Sequence, residues 1–149
     1  MKKRSSTSGR LDACLLHRSR PRHPLPKILK KAGFALEKHR DHFPPDCPDE
    51  HWLAEVGKRE WVALTHDARI RYKPNELAAV IRHRVRLLVI VGKAPFPELA
   101  ASFVATRKRI EAFLEGAAAP IIAKVYRATP AELAKDQTAA GRIERWYPK

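Results

Sequence analysis

The chain has 149 residues, of which 44% are hydrophobic, and this length and composition are typical of one folded domain and exclude wholesale disorder. Its formal net charge of +14 at pH 7 favours a polyanionic partner such as a nucleic acid. No apolar run approaches the ~20 residues that cross a bilayer, and two cysteines cannot form a disulfide framework. We therefore expect a cytoplasmic protein with no membrane association.

Short apolar runs alternate with helical patterns along the first half of the chain. Residues 1–12 are predicted to be a basic, flexible N-terminal arm. The elements predicted next are a strand at 13–16, a helix at 25–32, a strand at 34–39, a helix that begins at Pro48, a strand at 61–65 and a helix at 75–84. In the helix after Pro48, apolar side chains at helical spacing predict a buried face formed by Trp52, Leu53 and Val56.

The second half continues the alternation. The near-continuous apolar run 85–91 is typical of a strand that is covered on both faces. Pro97 opens the longest predicted helix, whose apolar stripe continues to Leu114. A last strand is predicted at 121–126, and residues 128–149 are predicted to be a polar C-terminal tail with one short helix. The pattern predicts an α/β sandwich with a mainly parallel sheet over residues 13–127.

The acidic residues are concentrated in one part of this basic chain. Eight of the sixteen carboxylates lie between Asp41 and Glu76. In parallel sheets, ligands bind beyond the carboxyl ends of the strands. If the predicted strands are neighbours, Asp46 or Asp49 would meet Asp67 and Glu76 at that edge. Hard carboxylate oxygens suit Mg²⁺ or Mn²⁺, and such an ion can offset the charge on a scissile phosphate.

Other interpretations of the same residues stay open. Asp46 and Asp49 precede an apolar helix at a spacing that is also typical of helix capping. Asp67 is also compatible with a turn, and Glu76 with a first-turn acid that is stabilised by the helix dipole. A zinc site is a further hypothesis, with the ligands His39, His42, Cys47 and His51. The segment 91–96 is similar to the lysine segment of phospho-acceptor receiver domains.

Two segments carry a resemblance to a known family. They are Asp-His-Phe-Pro-Pro-Asp-Cys-Pro-Asp at residues 41–49 and Trp-Val-Ala-Leu-Thr-His-Asp at residues 61–67, followed by Glu76. Together they resemble the PIN-like domains related to VapC toxins. The resemblance implies a three-layer α/β/α sandwich with a mainly parallel central sheet, and metal-dependent cleavage of RNA.

The resemblance also implies roles for particular residues. It assigns Asp49, Asp67 and Glu76 to catalysis, and Asp46, Asp49, Asp67 and Glu76 to the binding of Mg²⁺ or Mn²⁺. Members of the family normally end the first strand with an aspartate, whereas this chain has His17 there. An uncharged imidazole is a poor ligand for Mg²⁺, so we expect a weakened metal site.

The expected partners follow from the same resemblance. They are RNA, a cognate antitoxin protein and, as a further option, a second copy of the chain in a homodimer. The alternative function is a catalytically inactive PIN-like module that binds RNA or protein. His17 favours this alternative, whereas Asp49 and Asp67 favour the ribonuclease.

Overall fold

The computed structural model of the chain describes residues 14–17, 24–31, 36–38, 42–44, 47–65, 74–92 and 96–148. The expected arm at residues 1–12 lies outside these residues. The strands are β1 (Cys14–His17), β2 (Leu36–Lys38), β3 (Val62–Thr65), β4 (Arg86–Ile90), β5 (Ile121–Val125) and β6 (Ile143–Tyr147). The helices are α1 (Pro24–Lys31), α2 (Asp49–Lys58), α3 (Pro74–Arg82), α4 (Phe96–Ala105), α5 (Arg107–Glu115) and α6 (Pro130–Lys135).

One six-stranded sheet organises the protein, in the order β2-β1-β3-β4-β5-β6. Strands β1 to β5 pair in parallel, and β6 joins the edge of β5 antiparallel. Every residue of β4 is buried, as its continuous apolar sequence predicts for a strand covered on both faces. The predicted α/β fold with a mainly parallel sheet is confirmed.

Helices cover both faces of the sheet, and each face has its own apolar cluster. The first cluster joins Leu29 of α1 to Phe103 of α4 and Leu114 of α5. The second joins Trp52, Leu53 and Val56 of α2 to residues of α3, including Val80, and to the opposite face of β3 and β4. All three residues of the predicted α2 face are fully buried. For convenience, the two faces are called the α1 face and the α2 face.

The connection between β4 and β5 has the opposite hand to the other connections. The connections through α1, α2 and α3 have the same hand. The path from β1 to β2 runs in one direction along the sheet with α1 on the α1 face, whereas the paths through α2 and α3 run in the opposite direction on the α2 face. The path from β4 to β5 continues in the direction of the α3 connection, yet α4 and α5 pack on the α1 face. Nearly all such crossovers are right-handed, so this one is unusual. As a consequence, α2 and α3 are the described helices that pack on the α2 face.

The longest predicted helix is divided in two at Thr106, where one continuous helix was expected. The Thr106 side chain is fully buried, and its hydroxyl donates a hydrogen bond to the Ser102 carbonyl at 2.6 Å. The same hydroxyl accepts a hydrogen bond from the Gly141 amide at 2.9 Å. A threonine that bonds to the preceding turn tends to bend a helix, and here the second bond ties the bend to the loop before β6.

The apolar face predicted for α3 needs one correction. Helical spacing predicts that Leu77, Val80 and Ile81 form this face, but Ile81 is 38% exposed, whereas Ala79 and Val80 are buried. Ala79 and Val80 belong to the α2-face cluster, so the buried stripe of α3 lies on their side of the helix.

The C-terminal residues contribute more to the fold than the sequence predicts. The expected short helix is α6, which begins with a capping box between Thr129 and Glu132. The residues after it form the edge strand β6, which was not predicted because its two polar residues are adjacent and are followed by two adjacent aromatic residues, without the alternation that indicates a strand. The proposed boundaries of the arm, domain and tail stay predictions. Within the described ranges, none of the helices is long and apolar enough to span a bilayer.

Candidate functional site

The carboxyl ends of β1 and β3 lie side by side. The two strands are parallel, with Leu16 opposite Leu64 and His17 opposite Thr65. The expected adjacency of these strands is confirmed, because β1 pairs with both β2 and β3. The backbone of His17 therefore stands at the edge of the sheet where ligands bind in folds of this class. Its side chain lies outside the described part of the structure.

Asp49 is the first residue of α2, at the same edge. Its Oδ1 accepts a hydrogen bond of 2.8 Å from the indole Nε1 of Trp52, one turn further along the helix. Trp52 is fully buried, and Asp49 is half-buried. The indole therefore holds one carboxylate oxygen in a defined position at the edge of the apolar cluster. Carboxylates that bind metal ions are commonly held in place by hydrogen bonds of this kind, so the geometry of Asp49 is compatible with a cation site.

The capping hypothesis is not supported for Asp49. The residue in the capping position of α2 is Pro48, and the start of this helix has no side-chain capping hydrogen bond. Asp49 lies within the first turn, where the helix dipole favours a negative charge. The other hypothetical capping residue, Asp46, lies outside the described residues.

Glu76 occupies the first turn of α3 and is half-buried. α2 and α3 pack together on the α2 face, and both begin at the carboxyl edge of the sheet. The carboxylate of the neighbouring Glu50 pairs with the guanidinium of Arg82 and lies 3.6 Å from Nε2 of His83. Glu50 therefore ties α2 to the end of α3, whereas Asp49 and Glu76 are the acids at the edge.

No complete metal site is formed by the described residues alone. Among them, no three histidine, cysteine, aspartate or glutamate side chains are close enough to hold one ion. His42, Cys47 and His51 therefore do not form the hypothetical zinc site, and the ring of His42 packs edge-on against Trp61 at 5.6 Å. His39, Asp46 and Asp67 lie outside the described residues. Asp49 and Glu76 offer the hard oxygen donors that Mg²⁺ and Mn²⁺ prefer.

The hydrogen bond between Trp52 and Asp49 is not among the features predicted from the sequence. Trp52 is expected to pack in the core, and its ring is indeed buried. The spacing of Asp49 and Trp52 indicates this hydrogen bond, because residues three apart on a helix are neighbours and a buried indole N–H needs an acceptor.

Comparison with known proteins identifies the family. A family model described as a PIN-like domain matches residues 11–92, which is more than half of the chain and spans β1 to the end of β4. A curated Mycobacterium tuberculosis protein named "Putative ribonuclease VapC45" is 29% identical over 101 residues, which cover 65% of this chain and 70% of that protein. No solved structure matches the chain significantly. The chain belongs to the PIN-like domain family, and it is related to the VapC group of that family.

Proposed function

We propose that this protein is a metal-dependent endoribonuclease of the PIN/VapC type, which hydrolyses phosphodiester bonds in RNA. The observation that supports the proposal most directly is the position of Asp49, which the Trp52 indole holds at the carboxyl edge of a PIN-like sheet. The name of the related Mycobacterium tuberculosis protein supports the same chemistry. The charge of +14 suits a polyanionic substrate.

The proposed ligands of Mg²⁺ or Mn²⁺ are the carboxylates of Asp46, Asp49, Asp67 and Glu76, with His17 in the position of an expected aspartate. A divalent cation at this edge would supply positive charge that offsets the charge of the scissile phosphate. Asp49, Asp67 and Glu76 would hold this cation and accept hydrogen bonds from the attacking water. The basic surface would lower the cost of bringing a polyanion to this group of acids.

A second function is favoured by one observation. His17 ends β1 next to the end of β3, where an uncharged side chain removes one anion from the expected ligand set. If the remaining carboxylates do not hold a cation, the protein is a catalytically inactive PIN-like module that binds RNA or protein. We also propose that the ribonuclease is the toxin of a toxin–antitoxin pair with a cognate antitoxin protein, that the protein is cytoplasmic, and that two copies form a homodimer.

Metal binding and RNA cleavage test the two functions separately. We expect Mn²⁺ to raise the melting temperature of the wild-type protein, because a ligand that binds only the folded state stabilises it. Asp49→Asn should reduce both this increase and Mn²⁺-dependent cleavage of single-stranded RNA. Glu50→Gln is the matched control, because Glu50 pairs with Arg82 rather than with the proposed cation. Cleavage by Asp49→Asn at the wild-type rate would refute this assignment of the site.

A further inference from the structure

On the α2 face, β5 and β6 present a pair of charged side chains. The pairs Lys124–Glu144 and Val125–Ile143 are cross-strand neighbours. Val125 and Ile143 belong to the apolar cluster on the α1 face, so Lys124 and Glu144 lie on the α2 face. Their side chains form an ion pair, with Lys124 Nζ 2.8 Å from Glu144 Oε1.

Tyr126 lies at the carboxyl end of the same face, one strand repeat beyond Lys124. Its amide donates a hydrogen bond to the Arg142 carbonyl, which fixes the two residues opposite each other. The guanidinium of Arg142 lies over the Tyr126 ring at 4.2 Å from the ring centre, and Lys124 Nζ lies at 5.5 Å. Tyr126 is half-buried and Arg142 is exposed. We call Lys124, Tyr126 and Arg142 the aromatic–basic patch.

The next residue, Arg127, lies on the other face of the sheet from this patch. Arg127 is two residues beyond Val125 and lies beside Leu99 and Phe103 of α4, on the α1 face. Its Nη2 is 3.5 Å from the Glu98 carboxylate. Its Nε is buried and has no hydrogen-bond partner among the described residues. Because its guanidinium pairs with α4 on the α1 face, Arg127 is not part of the aromatic–basic patch.

The aromatic–basic patch is located at the same edge as the proposed active site. Tyr126 follows the carboxyl end of β5, while Asp49 and Glu76 begin the helices at the carboxyl edge of the same sheet. β5 is two positions from β3 in the sheet, a distance of about 10 Å. A strand of RNA that occupies the active site can therefore reach the patch along the edge of the sheet.

We infer that single-stranded RNA runs along this edge from the proposed active site to the aromatic–basic patch. One base would stack on the Tyr126–Arg142 pair, and neighbouring phosphates would bind Arg142 and Lys124. Aromatic rings and guanidinium planes are the surfaces on which unpaired bases stack, and a duplex does not expose its bases in this way. The inference rests on the proposed function, since it concerns the same substrate. The family match ends at residue 92, so this surface lies outside the part of the chain that the match covers.

RNA binding in the presence of EDTA tests the patch without any cleavage. The measurement is the fluorescence anisotropy of a short, labelled single-stranded RNA over a range of salt concentrations. Tyr126→Ala should weaken binding about tenfold, whereas Tyr126→Phe should retain it, because stacking needs only the ring. Arg142→Ala should weaken binding and reduce the slope of log Kd against log salt by about 0.7, the value for one phosphate contact on a single strand.

Two further variants separate binding from general damage to the sheet. Glu144→Gln should tighten RNA binding, because it removes a carboxylate and releases Lys124 from its ion pair. Arg145→Ala is the matched control, because Arg145 is an exposed arginine that pairs with Ala123 and therefore lies on the α1 face. It should leave the affinity for RNA at the wild-type level. Duplex RNA of the same sequence should bind more weakly than the single strand.

The outcomes distinguish this inference from the proposed function. If wild type binds no single-stranded RNA, or if Tyr126→Ala and Arg142→Ala both bind it with wild-type affinity and salt slope, the inference is wrong. It is also wrong if the surface binds a protein and not RNA. If these variants lose affinity but no Mg²⁺- or Mn²⁺-dependent cleavage is found, the inference stands and the ribonuclease proposal fails.

Discussion

Trp52 donates the hydrogen of its indole Nε1 to Oδ1 of Asp49 across 2.8 Å. The donor is fully buried in the α2-face cluster, and the acceptor is half-buried at the carboxyl edge of the sheet. The contact therefore joins the hydrophobic core to the proposed active site. A residue that contributes to the core also sets the position of a proposed metal ligand.

We predict that Trp52→Phe lowers the affinity for Mn²⁺. Phenylalanine fills most of the same volume but cannot donate the hydrogen bond to Asp49, and loss of such an outer contact typically costs about 10–100-fold in metal affinity. The affinity can be measured from the electron paramagnetic resonance signal of free Mn²⁺ in a titration. Trp61→Phe is the control, because Trp61 contacts Arg59 and His42 and should leave the affinity unchanged. Equal Mn²⁺ affinities for wild type and Trp52→Phe would contradict the positioning role.

We predict weak Mg²⁺-dependent cleavage of RNA by the wild-type protein and stronger cleavage by His17→Asp. The substitution restores a hard, anionic ligand at the end of β1, beside the end of β3. Initial rates should be compared at equal Mg²⁺ concentrations. Combining the substitution with Asp67→Asn should remove the gain if both side chains serve one ion. Full wild-type activity that His17→Asp does not change would oppose the prediction.

Gly57→Ala is expected to destabilise the packing of α2 against α3. A methyl group at this position would lie 2.1 Å from the backbone carbonyl oxygen of His83, so one helix must move. Overpacking of this kind costs about 1–3 kcal/mol, which urea unfolding can measure. Gly116→Ala is the matched control, because the nearest atom would be 4.0 Å away and α5 ends there with an ordinary backbone conformation. A free energy of unfolding unchanged in Gly57→Ala would show that the helices do not approach each other this closely.

Thr106→Val should destabilise the protein by about 1–3 kcal/mol, because it leaves the buried Gly141 amide without its acceptor. Valine has nearly the same shape as threonine, so the loss can be assigned to the hydroxyl. Thr106→Ser retains the hydroxyl and should restore most of the stability. Hydrogen exchange at the Gly141 amide should be faster in Thr106→Val than in wild type, and equal rates would argue against the hydrogen bond.

The ion pair between Lys124 and Glu144 predicts a defined dependence on pH. The hydrogen bond from Lys124 lowers the pKa of the Glu144 carboxyl from 4.5, and the same bond raises the pKa of Lys124 from 10.5. The glutamate contribution to stability is complete above pH 4.5 and is lost as the pH falls through the lowered value. The lysine contribution is complete below pH 10.5 and is lost as the pH rises through the raised value.

The difference in unfolding free energy between wild type and Glu144→Gln should therefore be constant across neutral pH. It should shrink in acid below pH 4.5. Urea unfolding at a series of pH values measures the difference, which is expected to be small because the glutamate is exposed. A difference that changes mainly near neutral pH would show that another group responds to this substitution.

Much of the fold and part of the site could be predicted from the sequence. The continuous apolar run of β4 and the Trp52, Leu53 and Val56 spacing of α2 indicate burial directly, because these periodicities are set by the local geometry of strands and helices. The acidic segments and their resemblance to PIN-like domains located Asp49 and Glu76 in the first turns of two helices. The three-residue spacing of Asp49 and Trp52 also indicates their hydrogen bond, although only the packing of Trp52 was predicted.

Only the tertiary structure determined which distant residues meet. The hand of the β4–β5 connection, the bend at Thr106 and the pairing of β6 with β5 depend on contacts between residues far apart in the chain. The stacking of Arg142 on Tyr126 exists only because that pairing places them opposite each other. Hydrophobic periodicity specifies which side of an element is buried, but it carries no information about the element that covers it. For this reason the sequence by itself determined the family and the proposed acidic ligands, while the tertiary structure placed a basic, aromatic surface at the same edge of the sheet.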